Sequence, residues 1–269
     1  RDPGWTYSDM NGFGPFAGPL VWFKLYWAAW ALLLGVLAML LWVRGCEPGV
    51  RRRVRQAHAR FSGPLVRTVG VAIALIVALG GFIFYNTNVL NAYRTADQAG
   101  APQAAYETRY GQYEELPQPT ITHADIRIEI YPDESAVDLQ GRYHLVNRTD
   151  AAIESVHVYV TPDIDTRSIA VDREAAPAVT DEDVGYRILT LAQPLQPGES
   201  MRLTFDLGYR QRGFPNSGIP TSVVGNGTVL NRRWLPFVGY QPFFELAGDE
   251  ARERLGLRPQ GTLPAPAGD

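Results

Sequence analysis

Cysteine and lysine are nearly absent from this chain of 269 residues, which contains one cysteine, Cys46, and one lysine, Lys24. A single cysteine excludes a disulfide within the chain. The polar region after residue 119 must therefore be held together by its own core, for which about 150 residues are enough. The near-exclusive use of arginine as the basic residue is typical of GC-rich bacterial genomes, so we expect a bacterial protein.

The sequence motifs of common hydrolases are also missing. None of the four histidines (His58, His123, His144 and His157) begins the His-Glu-x-x-His pair of a zinc peptidase. The chain has no Gly-x-Ser-x-Gly turn and no phosphate-binding loop, and no cysteine follows residue 46. We therefore expect no catalytic residue and no metal ligand here. A solvated turn explains the acidic run 181–183 at least as well as a calcium site does.

Two runs of 19 residues, 25–43 and 68–86, carry no charge. At about 1.5 Å per helical residue, each run spans about 28 Å, close to the hydrocarbon thickness of a bilayer. The sequence therefore predicts a two-helix transmembrane hairpin, with helices over residues 20–43 and 65–86.

The loop between these helices, residues 44–64, decides the predicted orientation. The loop and its edges hold seven arginines against one acid, Glu47, and short loops of this kind stay in the cytoplasm. The arginines are Arg44, Arg51, Arg52, Arg53, Arg55, Arg60 and Arg67. The chain is then part of a multi-pass protein of a bacterial inner membrane. Residues 1–19 and the chain after Tyr85 are extracytoplasmic and face the periplasm. Nucleic-acid binding is the rival explanation for the arginines, but their place between two spans favours a topology signal.

Charge is divided unevenly along the sequence. From Arg94 onward there are 25 acidic residues and 16 arginines, a net charge of −9, whereas the first 93 residues hold 9 basic and 3 acidic groups, a net charge of +6. An acidic outer region disfavours anionic partners, so we expect no nucleic-acid partner.

The region after the hairpin is predicted to form a linker, a β domain and a tail. Residues 87–119 are the linker, partly helical over 99–113, where Tyr106, Tyr110 and Tyr113 share one face. From residue 120 apolar and polar residues alternate, which is typical of half-buried antiparallel strands. Strands are predicted near 121–131, 136–147, 153–160, 166–172, 185–191, 200–210 and 227–231. They predict an antiparallel β-sandwich or saddle-like sheet over residues 120–257, followed by a disordered tail over 258–269.

Several segments, in a fixed order, resemble one protein family. They are YSDMNGFGPF, WFKLYW, FYNTNVLNAYR, YETRY…LPQPTITHADIRIEIYP, NRTDAAIESVHVYV and NGTVLN…LPFVGYQPFFEL…DEARERLGL. The chain is similar to bacterial membrane proteins that fuse an ABC transporter permease-like membrane region to an aminopeptidase N-like zinc metallopeptidase. The resemblance implies that the chain holds the last two membrane helices and the N-terminal β-saddle domain. The catalytic domain with its zinc would then follow Asp269.

The same resemblance indicates one candidate site residue, Gln241. In such peptidases a glutamine near the end of the saddle domain, in a Thr-Gln…Ala-Arg segment, lines the pocket for the first residue of the peptide substrate. Here Gly239 and Tyr240 precede Gln241, and the gap to Ala251 is longer, so a glutamine that merely caps a loop is the competing interpretation. The implied partners are the bilayer, other membrane helices, the downstream zinc domain and a peptide.

Two functions are compatible with these observations. The first is the membrane anchor and accessory domain of a zinc aminopeptidase, a fragment that we expect to be inactive alone. The alternative is a non-enzymatic extracytoplasmic β-sandwich module that captures a ligand for a transporter. Its binding surface would be the aromatic stretch from Trp234 to Phe244.

Overall fold

The computed structural model describes residues 4–9, 11–42, 58, 62–93, 95, 98, 100–216, 218–225 and 227–260. The arginine-rich loop, apart from His58 and residues 62–64, and the tail from residue 261 lie outside the described residues. The chain divides into two compact units. One comprises Arg1–Tyr93 with Arg212–Thr221, and the other comprises Arg94–Gln211 with Ser222–Asp269.

The first unit is a pair of long helices, α1 (Gly14–Leu41) and α2 (Gly63–Phe84). Each has a proline in its first turn, Pro15 and Pro64, where a missing N–H leaves no hydrogen bond unmade. Both are long and apolar enough to cross a membrane, by length and composition. Trp22 of α1 contacts Phe82 of α2, with ring centroids 4.5 Å apart.

A π-helical turn, Tyr85–Val89, ends α2. Asn86 Nδ2 donates to the Phe82 carbonyl at 2.9 Å, and Thr87 Oγ1 donates to the Ile83 carbonyl at 2.9 Å. Side chains of this type compete for backbone carbonyls and disturb the regular helix. Polar residues therefore close the apolar helix at the end of the predicted span.

A short segment, residues 212–221, packs on the helix pair within the same unit. Phe214 contacts both Phe23 and Phe82, at centroid distances of 6.1 Å. Gly213 has φ +56°, and a Cβ there would lie 2.3 Å from Asn86 Oδ1. Only glycine combines this backbone conformation with so close an approach.

In the part of the second unit that the structure describes, there are ten strands and two α-helices. The helices are α3 (Ala101–Tyr110), followed by a 3₁₀ turn (Gly111–Tyr113), and α4 (Asp249–Arg254). The strands are β1 (Thr120–Tyr131), β2 (Ala136–Val146), β3 (Ile153–Tyr159), β4 (Asp165–Val171), β5 (Ala175–Asp181), β6 (Tyr186–Leu195), β7 (Ser200–Arg210), β8 (Val223–Val224), β9 (Gly227–Thr228) and β10 (Phe237–Val238).

The strands form two antiparallel four-stranded sheets and a small hairpin. The first sheet has the order β1-β2-β7-β4, the second β10-β3-β6-β5, and β8 pairs with β9. The core contains the inward residues of both sheets, including Val137, Leu139, Val156, Leu195 and Leu203, none of them more than 2 % exposed. The predicted fold class, a helical hairpin followed by an antiparallel β domain, is confirmed.

Six of the seven predicted strands are present within a few residues of their expected bounds. The prediction of a strand over 227–231 is wrong, because only Gly227–Thr228 pairs there and Val229 is 69 % exposed. Strand β5 was not predicted, because its sequence AAPAVTD alternates weakly and contains Pro177.

Candidate functional site

The candidate site is the loop formed by residues 238–246, called here the Gln241 loop, which follows β10. Its base is a cluster of aromatic residues between α3 and the second sheet. Tyr106 stacks on Tyr240, with centroids 4.7 Å apart and planes 9° apart, and Tyr110 stacks on Tyr186 at 4.0 Å and 16°. The cluster comprises Tyr106, Tyr110, Tyr159, Val184, Tyr186, Ile188, Phe237, Tyr240 and Phe244.

The helix that was predicted from the tyrosine spacing has a defined role in this cluster. Tyr106 and Tyr110 are buried and Tyr113 is partly buried against the cluster, so the three share one face as predicted. That face packs the helix against the second sheet. The helix therefore belongs to the same compact unit as the β domain, and this unit begins at Arg94.

Gln241 is held through both its backbone and its side chain. Its N–H donates to Tyr106 Oη at 2.8 Å, and its Nε2 donates to the Val238 carbonyl at 3.0 Å. The second bond is the loop-capping contact of the competing interpretation. The side chain is half-buried, and Phe243, two residues further on, is 52 % exposed. Nothing in the structure tests whether Gln241 binds a substrate, and that role stays a prediction.

A second hydrogen-bonded chain supports the same sheet beside the tyrosines. His157 is buried, its Nδ1 lies 3.0 Å from Tyr186 Oη and its Nε2 lies 3.1 Å from Ser155 Oγ. Gln118 joins the edge of this sheet, because its Oε1 accepts from the His157 N–H at 2.8 Å and its Nε2 donates to the Ser155 carbonyl at 3.1 Å. Burial lowers the pKa of His157 to about 4, so the ring is neutral at pH 7.

The tyrosine hydroxyls act as hydrogen-bonding groups and remain protonated at neutral pH. Burial is the largest cause of the raised pKa of Tyr106, Tyr186 and Tyr240. At Tyr240 a hydrogen bond adds to the effect, since its hydroxyl donates to Glu245 Oε1 at 2.9 Å. A site of neutral hydroxyls, a neutral imidazole and a primary amide can bind and orient a ligand, but it offers no activated nucleophile.

Asp181, the first residue of the acidic run, is bound by protein donors. Tyr110 Oη and Arg109 Nη1 both donate to its Oδ2 at 2.7 Å. Burial alone would raise the pKa of this carboxyl, but hydrogen bonds from Tyr110, Arg109 and the Val184 N–H outweigh it, and the pKa lies below its usual value. Among the residues that the structure describes, no group of three or more His, Cys, Asp or Glu side chains could hold a metal ion.

The aromatic stretch that the alternative function requires is not an exposed surface. Trp234, Phe237, Tyr240 and Phe244 are all less than 10 % exposed. They pack into the domain, and Phe243 is the exposed member. The interpretation of this stretch as a ligand-capture surface is therefore wrong for its main residues, and packing explains their presence.

The outer face of the first sheet forms a groove of about 720 Å³. Its charges are paired in surface ion pairs: Arg202 Nε with Asp172 Oδ2 at 3.0 Å inside the lining, and Asp206 Oδ1 with Nη1 of Arg167, outside the lining, at 3.1 Å. Exposed pairs of this kind contribute little energy, and we assign the groove no function.

Sequence reasoning identified Gln241 through the family resemblance and missed the residues that hold it. Tyr106 is 135 positions away in sequence, and local patterns do not reveal such a partner. The sequence analysis also assigned no role to Arg252, whose side chain is 4 % exposed and paired with Glu107. An arginine in an otherwise solvated acidic helix was the available signal.

Comparison with known proteins gives weak structural likeness. No protein-family model and no curated protein matches the chain. Among solved structures, the chain is similar to an M1 zinc metallopeptidase from Deinococcus radiodurans, at 14 % identity over 41 % of this chain and 28 % of that one, with a TM-score of 0.30. It is also similar to a two-domain M1 zinc metallopeptidase bound to L-arginine, at 15 % identity over 35 % and 21 % of the two chains, with a TM-score of 0.29.

A further similar structure is the native LTA4 hydrolase of yeast, at 13 % identity over 36 % of this chain and 16 % of that one, with a TM-score of 0.27. The chain therefore spans about a fifth of the length of the first two-domain metallopeptidase. These neighbours are zinc metallopeptidases and a hydrolase by their names.

Proposed function

We propose that this chain is the membrane anchor and N-terminal accessory domain of a zinc-dependent aminopeptidase fused to an ABC permease-like membrane region. The observation that carries the proposal is the placement of Gln241. In the segment that the family resemblance assigns to the substrate pocket, its backbone is bonded to a buried tyrosine, its side chain is half-buried, and exposed Phe243 follows two residues later. A ligand-orienting group needs this kind of rigid support.

The two units have different roles in this proposal. The apolar helices hold the protein in the inner membrane of a bacterium, with the arginine-rich loop in the cytoplasm and the β domain in the periplasm. Gly80 allows close approach to another helix, and other helices of the permease-like region contact the remaining apolar faces. The bilayer and these helices are the membrane partners of the chain.

The chemistry of peptide hydrolysis belongs to the downstream domain. The family resemblance assigns the zinc ligands to that domain, and we expect this chain to be inactive alone. What the chain contributes is one wall of the substrate cleft. One N–H of Gln241 Nε2 is used by the Val238 carbonyl, which leaves the Oε1 atom and the second N–H for a ligand. A carbonyl oxygen in this position accepts a hydrogen bond from the ammonium of a peptide N-terminus.

The test uses the longer protein that includes the downstream region. Gln241→Ala should lower kcat/KM for aminoacyl-nitroanilides about 10- to 100-fold, the effect of losing one hydrogen bond to a charged group. Gln196→Ala is the matched control, because Gln196 Nε2 also donates to a nearby backbone carbonyl, that of Pro194 at 3.3 Å. Equal kcat/KM values for wild type and Gln241→Ala with every first residue would remove Gln241 from the pocket. A downstream sequence without a zinc motif would end the enzyme proposal itself.

A further inference from the structure

The edges of the two main sheets differ in how they are protected from pairing with another chain. Natural edge strands are blunted by bulges, prolines or very short length. β4 has seven residues and a register shift between Thr166 and Ser168. β5 contains Pro177 and a second shift, and β10 is two residues long. These three edges are protected.

The fourth edge, β1, has none of these devices over most of its length. Its register shift lies near its start, between Ile121 and His123, and residues 123–131 pair with β2 without interruption. About half of these nine residues direct their N–H and C=O groups away from β2, because alternate residues of a strand form hydrogen bonds on opposite sides. In the part of the chain that the structure describes, β2 is the only strand that pairs with β1.

β1 also carries an exposed apolar stripe on its inward face. Ile128 and Ile130 lie opposite Leu139 and Val137, which are fully buried in the core. Ile126, Ile128 and Ile130 are nevertheless 37 %, 42 % and 42 % exposed. The core layer thus continues to the sheet edge, where no described residue covers it. A long, regular edge with an apolar face is the arrangement that accepts an additional strand.

We infer that β1 pairs antiparallel with β1 of a second copy of this chain, with Ile128 on the two-fold axis. In this register Ile126 lies opposite Ile130 of the second copy, so isoleucine meets isoleucine along the whole stripe. On the outer face, Arg127 lies opposite Glu129 of the second copy, and Glu129 opposite its Arg127. Directly opposed strand residues of opposite charge attract, and a two-fold interface repeats each contact.

Other registers fit less well. With Arg127 or Glu129 on the axis, like charges lie opposite each other, which is destabilising. With Ile126 on the axis, Ala124 and Thr122 lie opposite the other two isoleucines, so the apolar stripes no longer coincide. The dimer joins the two first sheets into one sheet of eight strands. This inference does not depend on the peptidase proposal.

The first test reverses charges in the full chain. The protein is purified in detergent, and its mass is measured by light scattering during gel filtration. The wild type should have a protein mass of twice 29.8 kDa. Arg127→Glu and Glu129→Arg should each give the single-chain mass, and the double variant should regain the dimer. The side chains of Arg127 and Glu129 are 75 % and 43 % exposed, so folding, followed by circular dichroism, should not change.

The double variant also tests the register. With Ile126 on the axis, the new carboxylate at position 127 would face Asp125, and the double variant would stay monomeric. A wild type that is monomeric at every concentration, or a dimer that is insensitive to these charges, would overturn the inference. So would a double variant that fails to recover the dimer.

The second test uses the cysteine content of the chain. Cys46→Ser gives a cysteine-free background, in which Ile128→Cys should form an intermolecular disulfide in membranes, because opposite Cα atoms lie about 4.5–5.5 Å apart. Ala170→Cys, exposed on protected β4, is the control and should stay uncrosslinked. In the longer protein, a cysteine at 128 that is shielded from maleimide but not crosslinked would show that the downstream domain covers the stripe, and would contradict the dimer.

Discussion

Arg252 and Glu107 form a bidentate ion pair between residues 145 positions apart. Arg252 Nη1 donates to Glu107 Oε2 at 2.8 Å, and Nη2 donates to Oε1 at 2.6 Å. Nη1 also donates to the Leu246 carbonyl at 2.7 Å, and Nε to the Arg258 carbonyl at 2.6 Å. The pair connects α3, which precedes the sheets, to α4, which follows them. It thereby holds in place the two helices near the Gln241 loop.

Glu107→Ala should destabilise the β domain by about 3–5 kcal/mol, because it leaves a buried guanidinium without its carboxylate. Urea unfolding of the full chain in detergent, followed by pulse proteolysis, measures this. Glu134→Ala is the matched control. Glu134 pairs with Arg210 at 2.9 Å with both side chains more than half exposed, and its loss should cost at most about 1 kcal/mol. Equal effects of the two substitutions would show that the Arg252 pair is not buried in solution.

Local pattern predicted the architecture of this chain well where periodicity is strong. Uncharged runs identified α1 and α2, and the alternation at Met201, Leu203, Phe205 and Leu207 gave β7 with its observed bounds. The turn at 196–199 follows from its sequence, Gln-Pro-Gly-Glu. Gly198 has φ +79° and the Glu199 N–H bonds to the Gln196 carbonyl at 3.0 Å, since proline and glycine occupy the two central positions of a type II turn.

The site was less predictable because its contacts are long-range. The spacing of Tyr106 and Tyr110 indicates a buried helix face but contains no information about its partners, Gln241 and Asp181. Strands without alternation, such as β5 and β10, exist because neighbouring strands offer them an edge. Residues 234–244 were interpreted as exposed from their aromatic content alone, whereas the second sheet buries most of those rings.

His157 should make the stability of the β domain depend on pH between about 4 and 6.5. Burial lowers the pKa of its imidazole from 6.5 to about 4 in the folded chain. The unfolded chain therefore binds a proton in this range that the folded chain does not, and stability is lost as the pH falls. The loss should reach about 3 kcal/mol at pH 4, since each pKa unit corresponds to 1.36 kcal/mol.

The measurement is the urea midpoint of the full chain at pH 7, 6, 5 and 4, compared with that of His157→Gln. Glutamine cannot titrate, so the difference between the two curves isolates His157 from the carboxylates that also protonate near pH 4. The wild type should lose more stability than the variant between pH 6.5 and 4.5. Parallel curves would mean that the imidazole is solvated and can accept its proton in the folded state.

Gly80 should be the glycine that lets the two apolar helices meet. Gly70, Gly80 and Gly81 lie in the apolar part of α2. A Cβ at Gly80 would lie 3.2 Å from the Tyr26 ring of α1, whereas nothing lies within 4 Å of one at Gly70 or Gly81. Gly80→Ile should therefore separate the helices, and Gly81→Ile, one residue away, should leave them in contact, because small residues set the distance between packed membrane helices.

A cross-link between the helices reports this distance directly. In a Cys46→Ser background, Trp22→Cys and Phe82→Cys replace two rings that are 4.5 Å apart, and a short bis-thiol reagent should join them in membranes. After denaturation, trypsin cleaves at the connecting arginines and separates the helices unless they are joined. Gly80→Ile should lower the joined fraction several-fold and Gly81→Ile should not. If both isoleucines lower it equally, general disturbance of α2 rather than the Tyr26 contact is responsible, and the glycine at 80 has no special role in the hairpin.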